Sequence, residues 1–238
     1  MSSVYLIRHG QAGSRQRYDQ LSDVGRRQSR LLGEYLAAQK LTFAAIYSGA
    51  LRRQRETASE VLDAYGRRGF QPPAIVIEPD WDEFDLGKVY ESVAPRLSAE
   101  DAEFRESYQQ MISLMPDERA PIHRQWVGCD IAVVRAWIEG RYPCPAESWE
   151  TFQRRIACRV EALRPCQSGE AIAIFSSATP IAIWAGMALG LANGKVMQLA
   201  GVMYNSAITS LRIRQEELRL FSFNGVPHLP DPALRTFR

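Results

Sequence analysis

Arg8-His9-Gly10 sets a permanent cation, an imidazole and a residue without a side chain next to one another, directly after the apolar run Val4-Tyr5-Leu6-Ile7. A strand that ends in this way puts a guanidinium and an imidazole at its carboxyl end, where open α/β sheets bind ligands. Gly10 lets the backbone pass close to a bound anion. A second short strand closes on Ser48-Gly49 and is followed by Leu51-Arg52-Arg53-Gln54-Arg55-Glu56-Thr57-Ala58. A guanidinium from this segment and that of Arg8, converging on one sheet end, would hold a phosphate through paired N–H forks. A third apolar run leads into Asp82-Glu83-Phe84-Asp85, whose carboxyl groups suit protonation of a leaving oxygen. Taken singly, the arginines and acids read as ordinary solvent-facing charges and His9 as a satisfied polar residue at a strand end. Together, at three successive strand ends, they read as a constellation for phosphate chemistry.

The elements that must position them follow from hydrophobic periodicity. Val4–Ile7, Phe43–Tyr47 and Ala74–Ile77 are short β-branched or aromatic runs, as expected of strands, and the first fits a buried one. Ser22 or Asp23 caps a helix whose apolar positions are Leu31, Leu32, Tyr35 and Leu36, and Leu51 to Tyr65 reads as a second helix. From Lys88 to Pro145 the alternation stops. Phe104, Tyr108, Met111, Ile112 and Leu114, then Trp126, Ile131, Val134, Trp137 and Ile138, suggest two or more amphipathic helices inserted in an α/β body. Trp149–Leu163 reads as a helix, Ala171–Phe175 as the clearest central strand and Pro180–Leu191 as an apolar helix. Ala207–Ile213 and Leu218–Phe223 alternate as strands, with a hairpin expected around Gln215-Glu216-Glu217.

Composition narrows the function classes. The 238 residues are 46% hydrophobic and 24% charged, with 29 Lys and Arg against 27 Asp and Glu. A net charge of +2 gives no reason to expect a nucleic acid or a membrane surface as partner. Cys129, Cys144, Cys158 and Cys166 show no CxxC spacing, and with only His9, His123 and His228 a structural zinc site is disfavoured. The thiols read as reduced. No basic segment followed by an apolar core opens the sequence, and Ala178–Ala192 falls short of the roughly 20 apolar residues of a membrane span. A cytoplasmic protein is expected.

In order, Ile7-Arg8-His9-Gly10, Leu21-Ser22 with Gly25 and Gln28, Ser48 with Leu51, Arg53, Thr57 and Ala58, and Glu83 with Gly87 resemble the phosphoglycerate-mutase-like branch of the histidine phosphatase superfamily. The resemblance resumes at Glu147-Ser148-Trp149 with Phe152 and Arg155, at Ile174-Phe175-Ser176-Ser177-Ala178-Thr179-Pro180-Ile181, and at Asn205-Ser206. It implies a three-layer α/β/α fold with a mainly parallel central sheet. The chain would form one domain, 1–238, with a helical insertion or lid at 88–145. It further implies that His9 is the nucleophile of a phosphomonoester hydrolase, forming a phosphohistidine that water then cleaves. Arg8 and Arg53 would bind the phosphoryl oxygens, Arg53 being chosen over Arg52 by counting back from Thr57-Ala58. Glu83 would be the acid and then the base, and no metal or other cofactor is implied. A neutral imidazole and a pair of guanidiniums are competent for this chemistry.

The family's late strand is followed by a second histidine, and here Ser177 stands in that position. Serine donates a hydrogen bond to a phosphoryl oxygen but carries no charge. Loss of a charge-assisted donor costs on the order of 2–4 kcal/mol of transition-state stabilisation, about a hundredfold or more in rate. Arg15 is the candidate cation to compensate, so the phosphate-binding set is Arg8, Arg53, Ser177 and Arg15. The alternative is a phospho-ligand-binding or regulatory protein with weak catalysis. Gln11 in place of the usual Glu and Ala146 in place of Gly are milder departures, and the absence of Trp-Glu-Gly after Gly87 ranks a phosphoglycerate-type mutase behind both. The expected partner is a phosphorylated small molecule. Oligomeric state is open, a dimer included.

Overall fold

Continuous apolar runs decide where the sheet is centred. The computed structural model describes residues 2–163, 169–214 and 217–237. Its strands are β1 (Ser2–Arg8), β2 (Ala45–Ser48), β3 (Ile75–Ile77), β4 (Ala171–Ser176), β5 (Ile208–Arg214) and β6 (Glu217–Gly225), in the spatial order β3-β2-β4-β1-β5-β6. β1, β4, β2 and β3 run parallel to one another, while β5 is antiparallel to β1 and β6 to β5. Val4, Leu6 and Ile7 of β1 and Ile172, Ile174 and Phe175 of β4 are all buried, so the central parallel pair is covered on both faces, as such pairs require.

The chain forms two compact units, one of residues 1–13, 17–83 and 156–238 and the other of residues 14–16 and 84–155. In the first, α1 (Asp23–Ala38) and α2 (Arg52–Gly66) cover one face of the sheet. Leu32, Leu36, Ala58 and Val61 pack there against Ile7, Ile46 and Phe175. Of the two expected caps for α1 it is Ser22 that serves, its hydroxyl accepting from the Gly25 amide at 3.1 Å. α7 (Ala178–Leu189) packs against β1 and β6 and supplies the second helical layer, giving the α/β/α arrangement. It begins two residues before the expected Pro180, because Ser177 is its N-cap. Helix α8 (Asn193–Gly201) follows in a stretch without a distinct sequence signal. Gln215 and Glu216, at the expected hairpin, lie outside the described residues, as does Cys166; Cys129, Cys144 and Cys158 are free thiols.

The second unit is helical: α3 (Leu86–Glu100), α4 (Ala102–Leu114), α5 (Gly128–Ile138) and the opening turns of α6 (Trp149–Leu163). Its centre is aromatic, with Phe84 stacked on Trp137 at 4.6 Å and Trp149 edge-on to Trp137 at 5.6 Å. Trp137 is thus a packing residue. Among the described residues no helix is long and apolar enough to cross a membrane.

Candidate active site

The carboxyl ends of β1, β4 and β2 lie in register, with Arg8 opposite Ser176 and Ser48 opposite Phe175. The residues that follow each strand are therefore neighbours. His9 is 1% exposed and held by its own backbone, its N–H donating to Ser176 O at 2.9 Å while its carbonyl accepts from the Ser206 amide at 3.1 Å. Its Nδ1 lies 2.8 Å from the Gly10 carbonyl. A carbonyl only accepts, so Nδ1 carries the hydrogen and Nε2 keeps its lone pair. Burial, then the charges of Arg53 and Arg8, push the imidazole pKa well below the usual 6.5. The ring is neutral at physiological pH, with its lone pair on Nε2.

Arg53 reaches that nitrogen: its Nε donates to His9 Nε2 at 3.2 Å. Its Nη1 pairs with Asp19 at 3.0 Å, and its guanidinium lies over the Tyr18 ring, 4.8 Å from the centroid. Arg52 instead points outward and pairs with Glu56 at 2.7 Å, so the helix face places Arg53 in the site. The local fold explains why. Thr57 donates to the Arg53 carbonyl at 2.7 Å and accepts from the Gly10 amide at 3.0 Å, tying α2 to the loop after β1. Asp82 accepts from the Ala50 and Leu51 amides at 2.7 and 3.1 Å, capping the start of α2.

Arg8 is 4% exposed and donates from Nη1 to the Met203 carbonyl, while its Nε is buried without a partner among the described residues. Burial lowers its pKa, and Tyr18 and Glu83 work against that shift. Glu83 accepts from the Thr179 amide at 3.1 Å, at the start of α7. Ser177 is 1% exposed and its Oγ accepts from Gln54 Nε2 at 2.9 Å. Arg8, His9, Arg53, Glu83 and Ser177 thus all belong to the first unit, on the elements at one end of its sheet.

Arg15 belongs to the second unit, where Asp130 takes it by 2.9 and 2.6 Å hydrogen bonds and the Ile122 carbonyl by one of 2.6 Å. The structure gives this guanidinium to a buried carboxylate, Asp130 being fully buried. His123 is buried in the same unit and accepts from the Arg15 amide at 3.1 Å. Gly10 also has a packing role. A Cβ there would lie 2.5 Å from the Gly25 carbonyl oxygen, so the missing side chain allows backbone to meet backbone at the start of α1. Sequence reasoning missed Tyr18, edge-on to His9 at 6.2 Å and hydrogen-bonded to Arg8, and Asp19 and Gln54, and it did not foresee that Asp82 binds the amides at the start of α2. None of these sits in an apolar pattern that would mark it. Among the described residues no group of three or more His, Cys, Asp or Glu side chains is placed to hold a metal ion.

A family model described as the histidine phosphatase superfamily, branch 1, matches residues 4–127, more than half of the chain. A mitochondrial serine/threonine-protein phosphatase Pgam5 from Caenorhabditis briggsae is 25% identical over 149 residues, 62% of this chain and 53% of its own length. The chain spans about half the length of the curated relatives it matches. Among solved structures, Bacillus stearothermophilus YhfR superposes with a TM-score of 0.65 at 19% identity, covering 96% of this chain and 100% of that one. A phosphoserine phosphatase variant from Entamoeba histolytica bound to phosphoserine gives 0.61 at 16% identity, covering 96% and 100%. These likenesses show a phosphoglycerate-mutase-like fold.

Proposed function

Since the chain belongs to the histidine phosphatase superfamily, we propose that it hydrolyses phosphomonoesters through a phosphohistidine on His9. The observation that carries this reading is the state of the imidazole: neutral, with Nδ1–H fixed on the Gly10 carbonyl and Nε2 facing Arg53. A bound phosphoryl oxygen takes the Arg53 Nε–H in place of His9, which releases the Nε2 lone pair toward phosphorus. As the N–P bond forms, the ester P–O bond breaks and the Glu83 carboxyl delivers its proton to the leaving oxygen. Glu83, now a carboxylate, takes a proton from water; the resulting oxygen attacks phosphorus, the N–P bond breaks and His9 returns to its neutral form. Arg8, with its unused buried Nε, and Arg53 hold the equatorial oxygens, and the Ser177 hydroxyl adds a neutral donor. The donors of Arg15 are already engaged by Asp130, so this mechanism does without it.

The names of the relative and of the solved neighbour, a serine/threonine-protein phosphatase and a phosphoserine complex, support an alkyl phosphate monoester as substrate class. Turnover of p-nitrophenyl phosphate and of phosphoserine, with an acid-labile, alkali-stable phosphoenzyme trapped on the wild type and absent from His9→Ala, is the expected result. Turnover unchanged in His9→Ala refutes it. Ser177 favours a second reading, a phospho-ligand binder. Saturable thermal protection by phosphate without hydrolysis selects that reading. The free cysteines fit a cytoplasmic site, whereas the curated relatives are named mitochondrial, so imaging of the full-length tagged chain decides location.

A further inference from the structure

Gln54 follows Arg53 on α2 and is fully buried, yet no step of the proposed chemistry uses it. Its Nε2 donates to Ser177 Oγ at 2.9 Å and to the Trp81 carbonyl at 3.3 Å, while its Oε1 is buried without a hydrogen-bond partner among the described residues. The Trp81 carbonyl only accepts, so the amide nitrogen must face it and the amide cannot be turned over. It follows that Ser177 Oγ receives a hydrogen from Gln54 and must direct its own hydrogen to a different acceptor.

Arg8 pairs with Ser176 across β1 and β4, and the next residues, His9 and Ser177, stand side by side beyond the strand ends. Room for the amide is made on purpose by Gly49: a Cβ there would lie 1.9 Å from Gln54 Oε1 and 2.5 Å from Asp82 Oδ1. An idle buried acceptor destabilises a core, and an apolar side chain of the same length would not carry that cost. We propose that Gln54 is the positioning residue of a Gln54–Ser177 relay that aims the serine hydroxyl at a phosphoryl oxygen held over His9, so that an uncharged pair does the work of the second histidine. The relay rests on the phosphatase reading above.

The test is p-nitrophenyl phosphate hydrolysis by the wild type, His9→Ala, Gln54→Met, Ser177→Ala and the Gln54→Met/Ser177→Ala double variant, with melting temperatures for all. Ser177→Ala should lower kcat/KM about tenfold to a hundredfold, as loss of a transition-state donor does. Gln54→Met should lower it about three- to tenfold, in kcat with KM within about twofold, while melting no lower than the wild type. The double variant should be no worse than Ser177→Ala, because both changes remove one interaction. Gln54→Glu keeps the shape of the side chain but accepts from Ser177, turning the hydroxyl hydrogen away from phosphate, and should lose more than Gln54→Met. Turnover that ignores His9→Ala overturns the phosphatase reading and the relay with it. His9-dependent turnover in which Gln54→Met and Gln54→Glu match the wild type, or in which the single losses multiply in the double variant, overturns the relay alone.

Discussion

Acidification should weaken the fold through one imidazole outside the proposed catalytic set. His228 is 5% exposed, shares a 2.8 Å hydrogen bond with Ser206 Oγ through Nε2, and has Nδ1 buried without a partner among the described residues. Burial pulls its pKa from 6.5 to about 4. As pH falls through the unfolded value the unfolded chain takes up a proton that the folded chain refuses. The stability tied to this group is therefore complete above that value and is lost as pH falls toward the folded one. At about 1.4 kcal/mol per pKa unit, the loss reaches about 2 kcal/mol by pH 5 and about 3 kcal/mol by pH 4. The assay is thermal or urea unfolding of the wild type and His228→Gln over this range. Glutamine can bond Ser206 but does not titrate, and the other groups of the two proteins titrate alike and cancel. For a chain of this length the gap between the two melting temperatures should shift by roughly 4–8 °C in favour of the variant between pH 7 and pH 5. A gap that stays constant over that interval refutes the burial of a neutral His228. The outcome bears on the site because the Ser206 amide donates to the His9 carbonyl at 3.1 Å, with Ser206 held at φ 57°.

Arg53→Met should lower kcat/KM toward aryl phosphate by about a hundredfold or more, whereas the outward-facing Arg52→Met should stay within about twofold; equal losses would reverse the assignment of the two guanidiniums. In NMR titration, the imidazole resonance that disappears in His9→Ala should not move between pH 8 and pH 6, since burial and the Arg53 and Arg8 charges keep that ring neutral well below 6.5; a midpoint at the ordinary histidine value would contradict it. Tyr18→Ala removes the ring under Arg53 and the hydrogen bond to Arg8, and kcat/KM should fall by roughly two- to thirtyfold, the worth of about 0.5–2 kcal/mol of cation–π contact, with Tyr18→Phe recovering the part owed to the ring. Gly25→Ala should destabilise the fold by about 1–3 kcal/mol in urea unfolding, because its Cβ would lie 2.1 Å from the Gln11 carbonyl oxygen.

Strands such as Val4–Ile7 and Ala171–Phe175 were legible because burial on both faces demands unbroken apolar runs, and Trp149–Leu163 matched α6 residue for residue. The start of α2 was harder. Its buried positions include Arg53, Gln54 and Thr57 before the apolar stripe of Ala58 and Val61 takes over, so a hydrophobic pattern alone reads that first turn as exposed. Motif register, not periodicity, selected Arg53. Tyr18 and Asp19 lie between the short 3-10 turn Arg15–Arg17 and the cap of α1, with no regular element to give them a facing direction. Arg15 stands out in the sequence as a cation six residues from His9; its guanidinium is bound by Asp130, which also accepts from Tyr90 and the Val127 amide, and no hydrophobic pattern marks that pairing in advance.

In the resting site the His9 lone pair is already engaged by Arg53, and this shapes how the proposed reaction starts. Arg53 spends its Nε–H on the lone pair that must attack phosphorus, its Nη1 on Asp19 and its face on Tyr18. While that hydrogen bond stands, His9 Nε2 cannot act as nucleophile. A phosphoryl oxygen, charged where the imidazole nitrogen is neutral, is the stronger acceptor for a guanidinium, so docking the ester transfers the Nε–H from nitrogen to oxygen and exposes the lone pair in the same movement. Substrate binding and activation of the nucleophile become one event, and water alone, a weaker acceptor than a phosphate, does not trigger it. The proposed reaction also accommodates an uncharged residue at position 177. In it the cationic work falls to Arg8 and Arg53, and a third positive group would further depress a histidine that two guanidiniums and burial already hold neutral, while a hydroxyl would add a donor without adding charge.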